Sequence, residues 1–189
     1  MWLIVGNYEI RNLTREQIMY LVKCLEKLGT MTDIIIVDTG AGISDAVLEF
    51  VLASPEVLLV STPDPSSLTD SYSLLKALYY HPDFAKNQSQ IYVVSNRVTN
   101  AEEGRQLFDK LDSVVKQFLA GKIQYLGAIP QDGALEKAVR QQKPVSLSNP
   151  NSKSAEAFES IAKAIMNEEE AVASTKWGIT KLISKFMNR

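Results

Sequence analysis

The apolar positions of the chain switch repeatedly between two spacings. Thr14 and Gln17 stand at the separation of a capping box, and Ile18, Leu21, Val22, Leu25 and Leu28 follow three and four apart before Gly29. That spacing predicts an amphipathic helix. Directly after it, Ile34, Ile35, Ile36 and Val37 form an unbroken apolar run, which predicts a strand over 33–38 buried on both faces. The alternation recurs, predicting helix over 44–53, strand over 56–61, helix over 67–79, strand over 90–95, helix over 101–120, strand over 123–129, and helices over 134–142 and 152–166. Strands separated by helices of this length imply crossover connections. The expected fold is therefore α/β, a mostly parallel sheet with helices on both faces. The pattern divides the chain into an α/β domain over 1–167, a linker over 168–175 that opens on Glu168, Glu169 and Glu170, and a terminal helix over 176–189.

Composition narrows the function classes. The chain has 189 residues, 46% of them hydrophobic, enough to bury a core. A net charge of −2 and an isoelectric point near 5.5 argue against nucleic acid held by general electrostatics, which needs a basic surface. Cys24 is the single cysteine, so one chain builds neither a disulfide framework nor a cysteine cluster for metal or iron–sulfur, and a reducing cytoplasm is expected. Residues 1–6 are too short an apolar start for a signal peptide and no run has the length of a membrane span, so any membrane contact is expected to be peripheral. His81, beside Pro82 and Asp83, reads as a cap, and Cys24 as a packed residue.

In open parallel sheets ligands bind beyond the carboxyl ends of the strands. Four expected strand ends carry unusual residues: Asp38-Thr39-Gly40-Ala41-Gly42, Ser61-Thr62-Pro63-Asp64-Pro65-Ser66-Ser67, Ser95-Asn96-Arg97, and Ile129-Pro130-Gln131-Asp132. Asp38 before two glycines suits a carboxylate near Mg²⁺ with backbone N–H groups open to a phosphate; it suits a plain turn equally well.

Taken in order, these segments resemble the MinD/ParA ATPases over residues 31–167, most of all their FlhG branch of flagellar-number regulators. Most members carry proline where this chain has Gly40. The resemblance implies ATP and Mg²⁺ as cofactors. Asp38 would hold the Mg²⁺ shell through water, Gly40 and Gly42 would sense the γ-phosphate, and Asn96, Arg97, Pro130 and Asp132 would form the adenine side. Asp64, Ser66, Ser67 and Asp70 would approach a homodimer interface. It further implies flagellar or division proteins as partners and control of flagellar number or placement. In the terminal helix, Ile179, Leu182, Ile183 and Phe186 stand at i, i+3, i+4 and i+7 beside Trp177, with Lys181 and Lys185 on the other face. Relatives dock such a helix on the inner face of the cell membrane.

The sequence departs from the family in one respect. Members carry a glycine-rich loop ending Gly-Lys-Thr or Gly-Lys-Ser; here the only Gly-Lys pair, Gly121-Lys122, precedes Ile123 without the upstream glycine spacing. The resemblance then implies that this chain by itself neither binds ATP tightly nor hydrolyses it. It also implies that the strand missing from mid-sheet is replaced by rearrangement or by another chain, with residues 2–5 at one side. A non-enzymatic binding module or degenerate paralogue using the same surface without nucleotide is the alternative.

Overall fold

A computed structural model describes residues 16, 20, 23, 24, 27–29, 31, 32, 34–40, 42–87 and 89–169. The expected strand at 2–5 and the terminal helix, with Trp177, Ile179, Lys181, Leu182, Ile183, Lys185 and Phe186, lie outside the described residues. The described chain falls into two compact units. One holds the residues up to Val57 together with Ala77–Ser89; the other holds Leu58–Lys76 and the residues from Gln90 onward.

The elements follow the predicted alternation closely. Helix α1 is Asp45–Ala53, started by Ser44, whose hydroxyl accepts from the Val47 amide at 3.4 Å. Strand β1 is Glu56–Ser61, and α2 is Pro65–Tyr79, with proline at the first helical position, where its missing N–H costs nothing. A short α3, Pro82–Asn87, leads into β2, Gln90–Val98. Helix α4 is Ala101–Phe118, capped by the Asn100 side chain on Glu103 N. Strand β3 is Gln124–Pro130, α5 is Gly133–Arg140, α6 is Val145–Ser148 and α7 is Lys153–Glu169. The strands form a parallel sheet in the order β1-β2-β3.

Three differences from the sequence reading have physical causes. Residues 34–40 belong to no strand, and Ile36 is 50% exposed rather than buried on both faces. An apolar run becomes a strand only where a neighbour offers a ladder, and among the described residues none does. The helices α3 and α6 were too short to show a period. Helix α5 stops before 142 because Gln142 takes a left-handed conformation, φ 53°.

Two helices cover opposite faces of the sheet in the second unit. Helix α4 turns its buried Leu107, Phe108, Leu111 and Val115 inward. It comes so close that a Cβ on Gly104 would lie 2.8 Å from Ala128 Cβ, 2.9 Å from the Tyr125 hydroxyl and 3.4 Å from Ser95 Cβ. The buried Ser95 hydroxyl uses this proximity, donating to the Gly104 carbonyl at 2.8 Å. The next residues along each strand, Val94 and Ile129, point the other way and pack with Ile161 of α7. A bulge in β3 puts two consecutive residues, Leu126 and Gly127, on the α7 face. Val93 pairs with Tyr125 but Val94 with Gly127, so Leu126 is an extra residue that turns toward α7 while Tyr125 stays under α4.

Gly104→Ala tests this closeness. Alanine favours a helix interior by about 1 kcal/mol, but here its methyl meets a strand Cβ that cannot rotate away. The variant should lose about 1–3 kcal/mol of unfolding free energy by denaturant titration. Gly133→Ala, whose added Cβ meets nothing within 4 Å, should lose none.

Candidate functional site

Three strand ends lie side by side along the carboxyl edge of the second unit's sheet. Its order places residues 61–64, 96–100 and 130–132 there together. Thus the structure gathers Asp64, Ser66, Ser67, Asp70, Asn96, Arg97, Pro130 and Asp132 in one unit. Asp38, Gly40 and Gly42 belong to the other unit, where Asp38 and Gly40 are exposed. Gly42 has φ +97°, a conformation that calls for glycine even though nothing lies within 4 Å of an added Cβ.

The end of β2 is built around an irregularity. Asn96 pairs with Ile129 and Val98 with Pro130, leaving Arg97 as an inserted residue in the left-handed region, φ 57°. Arginine adopts that conformation at a cost, so the surroundings must hold it there. The Arg97 amide donates to Asn96 Oδ1 at 2.9 Å, fixing the Asn96 side chain against its own backbone. Its Nδ2 donors remain without a partner among the described residues. Beyond the bulge, Gln131 N–H donates to the Val98 carbonyl at 2.8 Å and ties the β2 and β3 loops together. Glu103 closes the loop from the helix side: its Oε2 accepts the Thr99 amide at 2.6 Å and the Thr99 hydroxyl at 2.8 Å. Those two bonds, the amide's first, hold its carboxyl below the ordinary value.

Asp132 starts two helices at once. Its Oδ1 accepts the Ala134 amide of α5 at 2.8 Å; its Oδ2 accepts the Ser154 amide at 3.0 Å and the Ser154 hydroxyl at 2.8 Å at the start of α7. The Ser154 amide, then the Ala134 amide, then the Ser154 hydroxyl keep the carboxyl below its ordinary value. The aspartate's direct role in the structure is to hold the 130–132 loop against two helix N-termini.

At the end of β1, Asp64 starts α2 through its carbonyl, which accepts Leu68 N–H at 3.1 Å, while its carboxylate accepts the Thr62 hydroxyl at 2.9 Å. Ser67 Oγ accepts the Thr62 amide at 2.9 Å. Ser66 and Asp70 are exposed.

Set against ATP·Mg²⁺, the edge offers the Asn96 amide, a hydrogen-bonding group of the kind a purine edge takes. Gly121 and Lys122 run straight into β3 rather than into a helix, so they form no phosphate loop. Among the described residues no group of three or more His, Cys, Asp and Glu side chains gathers to hold a metal ion.

The bulge, the Glu103 clamp and the Ser154 partner were not read from sequence. The spacing of Asn100 and Glu103 is a capping signal that could have shown the second; a left-handed arginine and a partner 22 residues away leave no local trace.

Asp132→Ala should melt several degrees below the parent at pH 7, since two helix starts lose their acceptor. A carboxyl lowered by folding contributes stability above its unfolded value of about 3.9 and loses it as pH falls through the lower native value. The gap between parent and variant in thermal melts should accordingly close below about pH 4; a gap constant with pH would remove the charge from the explanation.

No family model matches the chain. It is 36% identical over 160 residues to the antiactivator FleN of Pseudomonas aeruginosa, covering 85% of this chain and 56% of FleN. It is 34% identical over 142 residues to the flagellum site-determining protein YlxH of Helicobacter pylori, covering 75% of this chain and 46% of YlxH. The chain thus spans about half the length of these relatives. Its fold is shared with the MinD cell division protein of Aquifex aeolicus (TM-score 0.62, 21% identity, 80% of this chain and 61% of that one). It is shared too with the Pyrococcus horikoshii septum site-determining protein MinD complexed with Mg-ADP (TM-score 0.58, 22% identity, 81% and 60%). Identity of this order over three quarters of the chain or more, together with the parallel sheet and its ordered strand ends, makes the chain a member of the MinD/ParA family, similar to its flagellar branch.

Proposed function

We propose that this chain supplies the adenine side and the interface surface of a MinD-like regulator of flagellar number or placement. The observation that carries the reading is the joined pair of loops, Val98 carbonyl to Gln131 amide, which holds Asn96 and Arg97 beside Pro130 and Asp132. The name of YlxH, a flagellum site-determining protein, supplies the flagellar context, and the Mg-ADP complex of a MinD supports nucleotide as the ligand class. In this reading Asn96 addresses the purine edge and Asp132 positions the covering loop. Asp38 would serve the water shell of Mg²⁺, and Gly40 and Gly42 the γ-phosphate, only where a glycine-rich phosphate loop is supplied from elsewhere. Asp64, Ser66, Ser67 and Asp70 face a second copy of the chain, and a flagellar or division protein binds the dimer. The phosphates need a glycine-rich loop that these 189 residues do not contain, so hydrolysis is not a property of this chain by itself.

Calorimetric titration distinguishes this reading from its rival. Recognition through the base alone predicts weak binding in which adenosine, ADP and ATP·Mg²⁺ agree within about threefold, less than 1 kcal/mol, and loss of binding in Asn96→Ala. A strong preference for ATP would sink the base-only account. Silence for all three would favour a protein-binding module that uses this edge without nucleotide, the reading favoured by the missing loop.

Membrane attachment is assigned to residues 176–189, whose apolar stripe and lysines suit an anionic bilayer. Among the described residues no helix is long and apolar enough to cross a membrane. Co-sedimentation with vesicles containing anionic lipid should fall to background when 176–189 are deleted, and should weaken as salt is raised. Unchanged sedimentation would place the contact elsewhere.

A further inference from the structure

Under the β1 edge lies a chain of three serine hydroxyls. Ser61 is 0% exposed and Ser71 4%, while Ser67 is half-buried in the first turn of α2. Ser71 donates to Ser61 Oγ at 3.0 Å, and Ser61 and Ser67 share a bond of 3.3 Å whose donor geometry alone does not fix. Burial fixes it. Among the described residues Ser61 has no other acceptor within reach, so if Ser67 were the donor, the fully buried Ser61 proton would be left without a partner. That would cost the full desolvation of a buried hydroxyl. The proton therefore runs from Ser61 to Ser67, and the order along the chain is Ser71 to Ser61 to Ser67.

The consequence falls on Ser67. Its oxygen already accepts the Thr62 amide at 2.9 Å, so the Ser61 proton takes its second lone pair. A hydroxyl with both lone pairs filled can only donate, and the Ser67 proton has no acceptor among the described residues. We propose that Ser61 is a positioning residue that commits the Ser67 hydroxyl to donating, and that Ser67 donates to a carbonyl or carboxylate oxygen of a second copy of this chain. This rests on the reading that residues 64–70 face a dimer interface. It adds a polarity to that interface: the partner surface must present an acceptor, and a donor placed there would meet a proton instead of a lone pair.

Sedimentation equilibrium of the full chain, with thermal melts of each variant as a check on folding, tests the proposal. Ser67→Ala should weaken self-association by about twenty-five-fold to a hundredfold, because a two-fold dimer loses the bond twice at about fivefold to tenfold each. Ser67→Cys, close in volume but a weak donor, should behave similarly if the alanine variant melts too low to compare. Ser61→Ala should weaken association in part, and Ser61→Ala with Ser67→Ala should be no weaker than Ser67→Ala alone, because both act through one proton. Additive losses would overturn the positioning role of Ser61. If Ser67 variants associate normally while Asp64→Ala or Asp70→Lys do not, the hydroxyl assignment fails and the interface stands. If the parent stays monomeric at every concentration, or none of these variants changes association, the interface reading itself fails.

Discussion

A parallel strand pair ends wherever its hydrogen-bond register runs out, and loops beyond that point would ordinarily go their separate ways. Here the register is carried further by an inserted residue. With Arg97 set aside in a left-handed conformation, Val98 still pairs with Pro130, and its carbonyl takes the Gln131 amide at 2.8 Å. That single backbone bond joins the two loops that carry the candidate base-binding residues. Without the bulge, alternation would place position 98 one step out of phase and the bond would have no acceptor. The strain of a left-handed arginine is held by what it makes possible: a fixed Asn96 side chain on one side and a continued ladder on the other.

The surrounding caps act on the same two loops. Glu103 ties down Thr99 from α4, and Asp132 ties the β3 loop to the first turns of both α5 and α7. Each clamp is a carboxylate accepting backbone N–H groups at a helix start or just before it, which combines hydrogen bonding with favourable alignment to the helix dipole. Helix α7 is held at a second place by Ile161 against Val94 and Ile129. Because it is pinned both to the loop and to the sheet, a displacement of residues 130–132 cannot leave α7 in place; either the Asp132 bonds break or the helix moves with the loop.

The sequence made most of this architecture legible because its signals are local. Apolar spacing located every strand of the sheet and the long helices, and Asp132 before Gly133 and Ala134 is a readable helix start. The failures are non-local or conformational. The run Ile34 to Val37 has the composition of a buried strand, yet a strand is a relation between two segments, and among the described residues Ile36 stands half exposed without a partner strand. Ser154 as the second partner of Asp132, Ser71 as the donor to Ser61, and the extra residues Leu126 and Arg97 depend on where distant parts of the chain come to lie. The strand-end residues stood out as unusual in the sequence itself, and only the family resemblance gave them roles.

The carboxyl edge of the sheet therefore owes its shape to bonds made within the unit. Two loops joined by a ladder bond and clamped by carboxylates need little further ordering when something binds, so contacts made there are not offset by a large entropy of immobilisation. This bears on the base-binding role proposed for an edge with no phosphate loop beside it among the described residues. Phosphate recognition depends on many backbone N–H groups converging on one anion, which a chain either contains as a continuous glycine-rich loop or lacks entirely. Recognition of a purine edge needs only a few donors and acceptors held still by strand ends. The two halves of such a site can therefore be built separately, and the edge described here is a polar surface held in shape by its own bonds.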